Sequence, residues 1–367
     1  MKKLLVTLIC LLLVLCSFST ASAFAPVAAS DLKLGFIYIG DVTDMGYTYA
    51  HHQGTLAMQR AFDLRDDQIL IKRNISEDSA CETAIRELIE QGCHAIFATS
   101  FGFMDYMAEM AEEYPDVIFL HCSGYKSNDT NFANYFGRIY EARYLSGIAA
   151  GLKTEANKLG YVAAHPFAEV ISGYSAFYLG AKSVNPDVEM LVMYTNDWND
   201  PTREAQVAKA LIDQGCDVLG QHCDSTAPAT TAEAAGMFQV GYNSDMIPAA
   251  PNASLTSARI DWSKYLIYAV GSYLSGEQIA VDWSQGLAEN AVYLSPLNDA
   301  IIAEGTAEAI DAAHTAIVSG GFKVFAGPLY DASGALIVEE GSHFPEQETE
   351  SAPSFDRILQ GIAVIEG

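Results

Sequence analysis

Positive charge is scarce in this chain. Twenty Lys and Arg residues face 46 Asp and Glu, a formal net charge of −26. Such a balance argues against nucleic acid or an anionic lipid surface as a partner. An acidic surface that aids solubility accounts for the charge, and it fits an external compartment. Cysteine is scarce too. Beyond the first 23 residues there remain Cys81, Cys93, Cys122, Cys216 and Cys223. An odd, widely spaced set is not a disulfide framework, even where export permits disulfides. Cys81 and Cys93 flank one predicted helix, and most of the five read as small buried hydrophobes. Cys223, among polar residues at a strand end, is the exception. Catalytic signatures are missing as well: there is no G-x-S-x-G, no G-x-x-x-x-G-K-[ST] and no H-E-x-x-H. Gly40 and Gly46 follow the first strand, but their spacing does not make G-x-G-x-x-G.

What is present begins with a leader. Lys2 and Lys3 precede an apolar run, Leu4 to Leu15, and Ala21-Ser22-Ala23 offers a small-x-small cleavage site. Residues 1–23 read as a secretory signal peptide, with an apolar run shorter than the roughly 20 residues of a membrane span. Cys16 raises lipid anchoring as an alternative, against which stands bulky Leu15. The expected location is periplasmic or cell-surface. The remainder is long enough for two domains.

The chain then alternates strand and helix. Leu34–Ile39 is a buried-strand run, and Gly40–Gly46 is a polar turn with a helix beginning near Tyr47. Strands follow at 68–73, 95–99 and 117–122, separated by helices at 80–91 and 104–114. Apolar residues at 84, 85, 88 and 89 recur at helical spacing. The rhythm resumes after a small-residue-rich helix at 140–151, with strands at 160–164, 189–195, 218–221, 238–242 and 255–260. Repeated βα units with short turns predict an α/β fold with doubly wound parallel sheets. Two such series joined by a crossover helix predict two Rossmann-like lobes. The first lobe is expected to begin at 31–151, the second to occupy 152–254, and residues 255–367 to return to the first. C-terminal segments contribute to both lobes and the hinge, and 341–354 reads as a mobile acidic loop.

In an open α/β sheet, ligands sit beyond the carboxyl ends of the strands. The loops expected there supply Asp41, Asp44, Tyr47, Ser100, Phe101, Lys126, His165, Glu169, Trp198, His222, Asp224 and Asp245. This set is aromatic and carboxylate-rich, with Lys126 its one evident cation. A flat ring bearing N–H or amino donors suits it, sandwiched by aromatic faces and read at its edge by carboxylates. Trp198 reads as a ligand-stacking residue, with lobe-edge packing as the competing account. For Tyr47 the competing account is helix capping, and for Asp245 a turn aspartate. His51-His52 gives no metal pair facing the cleft, and Cys223 beside His222 and Asp224 cannot form a relayed catalytic array. No cofactor or metal is expected. A two-lobed exported chain without catalytic residues reads as a monomeric, non-enzymatic binding protein that closes on a small ligand by hinge motion.

Several blocks resemble the basic membrane protein family of solute receptors that serve ABC importers and include purine nucleoside receptors. They are LGFIYIGDVTDMGYTYAHHQG at 34–54, ATSFGFMD at 98–105 and FLHCSGYKSNDTNFANYFGRIYEARYLSGIAAG at 119–151. ALIDQGCDVLGQHCDST at 210–226, GYNSDM at 241–246 and LTSARIDW at 255–262 complete the set. The resemblance implies a type I periplasmic binding fold with a three-crossover hinge and an ABC permease as membrane partner. It places Tyr47 on one face of a purine, Trp198 on the other, and Asp245 in the cleft. Nucleoside-binding members carry a lysine where this chain has Ile260, which shifts the expected ligand towards a free base such as adenine. Glu169 and Asp224 then accept from its N–H groups. The alternatives are a purine nucleoside receptor, a ligand-sensing receptor of a membrane signalling system, and a secreted nucleoside hydrolase.

Overall fold

The computed structural model describes residues 26–366; the leader, its cleavage site and Cys16 lie outside that range. The strands are β1 (Leu34–Tyr38), β2 (Ile69–Lys72), β3 (Ala95–Thr99), β4 (Ile118–Cys122), β5 (Phe132–Tyr135), β6 (Lys158–Ala163), β7 (Glu189–Tyr194), β8 (Val218–His222), β9 (Phe238–Tyr242), β10 (Ser254–Ile260), β11 (Asp282–Trp283), β12 (Val292–Leu294), β13 (Leu329–Tyr330), β14 (Leu336–Val338) and β15 (Ile362–Val364). The helices are α1 (Tyr47–Ala61), α2 (Ser79–Glu90), α3 (Met104–Glu113), α4 (Ile139–Lys153), α5 (Ala168–Val184), α6 (Pro201–Asp213), α7 (Ala227–Ala234), α8 (Trp262–Ser275) and α9 (Thr306–Val318).

Besides the small β13-β14 ribbon, two main sheets result, in the orders β11-β5-β4-β3-β1-β2 and β12-β10-β9-β8-β6-β7-β15. Within them only the β10–β12 pairing is antiparallel. All of β1, β3 and β4 is buried, because helices cover both faces and parallel strands then read as unbroken apolar runs. On the outer face of the first sheet, Ile85, Leu88, Phe103 and Met107 pack against Ile37, Ile96 and Phe119. Val207, Ala208, Leu211 and Ala232 do the same for the second. Helix starts are written locally: the Asp78 carboxylate accepts from Ala80 N–H, and that of Asp200 from Arg203 N–H just ahead of Pro201.

The chain passes between the sheets three times, at Phe136–Arg138, at Asp261, and at 284–291. Two boundaries differ from the expected ones. Helix α4, expected to close the first lobe, packs on α5 and β10 of the second. Twelve of its 15 residues are buried, so it is enclosed nearly all round and its pattern does not reveal which sheet it serves. Strand β10, expected to open the return to the first lobe, pairs with β9; the return comes one element later, when α8 packs on α1. Nor is 341–354 free: Glu346 is buried, and its Oε2 accepts from Ser354 N–H, Ser354 Oγ–H and Phe355 N–H. Cys223 is buried like the other four cysteines among the described residues, all of them free thiols.

Close backbone approach fixes the second lobe. A Cβ on Gly147 of α4 would lie 1.9 Å from the Phe177 carbonyl oxygen, and one on Gly180 of α5 1.9 Å from that of Tyr144. These glycines let the two helices touch, and they set the positions of Arg143 on α4 and Glu169 on α5.

Candidate functional site

The carboxyl ends of β1, β3 and β4 face those of β6, β8 and β9 across a cleft. Its outer part is a cavity of ≈ 900 Å³, walled on one side by residues such as Asp44 and Glu77 and on the other by His165, Trp198 and Thr226. Its inner end is a chamber lined by Ile39, Tyr47, Ser100, Phe101 and Ser123 from the first lobe and Glu169, Trp198, His222, Asp224 and Tyr242 from the second. The free volume there is ≈ 20 Å³, far too little for a planar ring. Ser123 bonds to Glu169 and Phe101 stacks on Phe167 across the cleft, so the lobes are closed, and a planar ligand takes this place only as the walls part. A Cβ on Gly46 would lie 2.0 Å from the carbonyl oxygen of Asp224, so the lobes meet backbone to backbone at this point.

Each candidate has a definite setting. Tyr47 opens α1 and is buried. Its ring lies edge-on to His51 and Trp262, with centroids 4.4 and 5.9 Å away, and its hydroxyl is 3.2 Å from Cys122 Sγ. Trp198, half-buried, packs edge-on against His165 at 4.7 Å. Phe101 stacks on Phe167 across the cleft at 5.1 Å and 28°. The Asp44 carboxylate accepts from the N–H groups of Gly46, Thr48 and Tyr49. It therefore anchors the β1–α1 loop and the start of the helix, which leaves little of it for a ligand.

Two carboxyl groups reach the chamber. Glu169 sits in the first turn of α5, where the helix dipole favours an acid. Its Oε2 accepts from Ser123 Oγ–H at 2.6 Å across the cleft, and its Oε1 lies 3.2 Å from His222 Nε2. Asp224 follows β8 and is buried, and Asn243 Nδ2–H donates to its Oδ1 at 3.0 Å. Burial pushes the pKa of Asp224 well above the usual carboxylate range, helped by the nearby Asp44, Glu204 and Glu169 charges. Burial likewise lowers that of His222, outweighing its bond to Glu169, so the ring is favoured neutral.

Asp245 is placed elsewhere. It does not line either part of the cleft, and its Oδ1 accepts from Ile247 N–H as a turn aspartate does. Ile260 ends β10 opposite Val292, away from the chamber. Tyr242 and Ser123 line the chamber but were not singled out by the sequence. Tyr242 ends an apolar strand and reads as core; its position at the strand's carboxyl end was the available signal. Among the described residues lining the cleft there is no Lys or Arg. Lys126 instead pairs with Asp105 on the surface. The described residues hold no cluster of three or more His, Cys, Asp or Glu able to bind a metal, and no helix long and apolar enough to cross a membrane.

Known proteins of this architecture include a solute-binding protein of an ABC transporter system from Aeropyrum pernix K1, with TM-score 0.70 and 18% identity over 80% of this chain and 92% of that one. A transcriptional activator of the comK gene from Bacillus halodurans aligns with TM-score 0.67 and 20% identity over 79% and 99%. At such identities they show the fold, the type I periplasmic solute-binding arrangement. In sequence, a purine-binding protein of Brucella abortus (strain 2308) is 36% identical over 320 residues, 87% of this chain and 90% of its own. A candidate ABC transporter glucose-binding protein of Haloferax volcanii is 32% identical over 336 residues, 91% and 85%. Residues 31–322 match the family described as ABC transporter substrate-binding protein PnrA-like. The chain belongs to this family of ABC transporter substrate-binding proteins.

Proposed function

We propose that this substrate-binding protein takes a free purine base, adenine-like, into the inner chamber and delivers it as a monomer to an ABC permease from the outer side of the membrane. The observation that carries the reading is the lining itself: Tyr47, Phe101 and Trp198 converge on Glu169 and Asp224 with no cation among them. Such a wall rejects phosphate and carboxylate ligands, since no positive group offsets their desolvation. It favours a flat, neutral ring with N–H donors. Tyr47 and Trp198 supply aromatic surface from opposite lobes, so stacking is completed only on closure. Glu169 accepts from a ring or exocyclic N–H; Asp224, held towards its protonated form, accepts or donates. The purine-binding Brucella relative supports the ligand class.

Isothermal titration with adenine, hypoxanthine, adenosine, guanosine and glucose tests this. Adenine or hypoxanthine is expected to bind tightest. Tight adenosine binding with weak adenine binding overturns the free base, and glucose binding without purine binding overturns the class.

A further inference from the structure

Arg143 is the most deeply buried cation described in the chain, 1% exposed, and it faces no acid. It lies on α4 behind the second sheet, its guanidinium stacked on the Tyr242 ring at 3.8 Å. Nη1 donates to the Gln221 carbonyl at 2.5 Å, which leaves Nε and Nη2 buried and unpartnered. His222, next to Gln221, turns its Nε2 towards Glu169, and its Nδ1 is also buried without a partner. These orphaned groups face the same spot. A Cβ built on Gly173 of α5 would lie 3.3 Å from His222 Nδ1 and 3.7 Å from Arg143 Nε. With no side chain on Gly173, no carbon of α5 is interposed at this donor and this acceptor, each costly to bury unmet. A water lying against the Gly173 Cα can accept from one and donate to the other.

We propose that one buried water at Gly173 joins Arg143 Nε–H to His222 Nδ1, and that Arg143 is thereby a positioning residue for the ligand site. The water donates to Nδ1, which must then be the unprotonated ring nitrogen. The ring proton resides on Nε2 and is donated to Glu169. In the other tautomer an unprotonated Nε2 would face the carboxylate, and the bond would be lost. With Nε2–H fixed, Glu169 Oε1 is held by His222 and Oε2 is turned to the cleft. Arg143, which touches no ligand, thus sets the direction in which Glu169 accepts. This rests on the role given to Glu169 above.

The test compares wild type, Gly173→Ala and Arg143→Lys, by high-resolution crystallography, by ¹⁵N NMR of histidine-labelled protein and by adenine titration. Wild type is expected to show a density peak within hydrogen-bond reach of both Arg143 Nε and His222 Nδ1, and a pyrrole-like Nε2. Gly173→Ala sets a methyl group within 3.7 Å of both nitrogens. It is expected to remove the peak, mix the His222 tautomers and weaken adenine about tenfold. Arg143→Lys keeps the charge without Nε and should produce the same NMR change; if that variant does not fold, the alanine variant decides. The proposal is overturned if Gly173→Ala retains the tautomer and the affinity and merely melts higher, as an interior helical glycine replaced by alanine ordinarily does. If wild type binds no adenine, the functional reading fails, while the peak and the tautomer still decide this inference.

Discussion

Ser123 and Glu169, from opposite lobes, are joined by a 2.6 Å hydrogen bond across the cleft. The hydroxyl follows β4 and the carboxylate opens α5, so the bond exists only while the lobes are closed. Hydrogen bonds to charged groups contribute about 1.5–3 kcal/mol. Ser123→Ala should therefore move the ligand-free protein towards an open form and weaken ligand binding roughly tenfold. Small-angle scattering without ligand and titration with it check the two halves of this expectation. An unchanged radius of gyration would show that the bond does not bias closure.

Gly46 permits the approach of the lobes more directly. Its absent side chain makes room for the Asp224 carbonyl, which a Cβ would meet at 2.0 Å. In Gly46→Ala the methyl group acts as a wedge between two otherwise intact lobes. The expected outcome is an unaltered melting temperature to within a few degrees, an open form in solution, and affinity lower by more than about tenfold, since closure supplies the second wall.

Aromatic contact is tested by Trp198→Ala. The indole is half-buried and packs on His165 and Phe167, so its loss should cost little stability. Losing its contact area and stacking should weaken purine binding by roughly tenfold or more. Tyr47→Ala should do the same, with some loss of stability because that ring also packs on His51 and Trp262. Equal purine affinity in the Trp198 variant would assign that residue to lobe-edge packing.

Closure should depend on pH through Asp224. Burial and the neighbouring carboxylates raise its pKa, and Asp44 among them comes from the other lobe. A raised acid binds its proton more tightly in the closed form than in the open one. Closed-state stability is thus fullest below the ordinary value of 3.8 and is lost as pH rises through the higher, closed-state value. Interlobe fluorescence transfer without ligand should show opening as pH increases over that window. Asp224→Asn should flatten the profile; a profile equally steep in that variant would assign the dependence to another group.

Much of the fold was legible because strands buried on both faces leave continuous apolar runs, as in Leu34–Tyr38. Aromatic and acidic residues at the ends of such strands were legible for the same reason: Tyr47, Trp198, Glu169 and Asp224 all fall where strands stop. The lobe boundaries were not. Helix α4 is buried nearly all round, and β10 looks like any other strand, so neither records which sheet it joins. Asp245 illustrates the opposite error. It stands three residues past its strand, close enough to suggest the cleft, but a side chain that can satisfy the backbone two residues on does so locally. Ser123 lacked any signal, because a serine in a polar loop is unremarkable until the fold brings Glu169 to it.

The three passages between the lobes also touch one another. Phe136 N–H donates to the Trp283 carbonyl, Arg138 N–H to that of Gln285, and Asp261 N–H to that of Ala291. A Cβ on Gly137 would lie 3.1 Å from both Ile260 and Val292 side chains. Tethers laced together in this way cannot bend independently. Twisting one lobe about its long axis would tear the lacing, whereas swinging it open distributes a small torsion over all three. The lacing should therefore leave the protein one soft coordinate, along which a ligand's contacts at the chamber act. Loosening a single passage with glycine should leave the path of opening as it is, because the other two still define it.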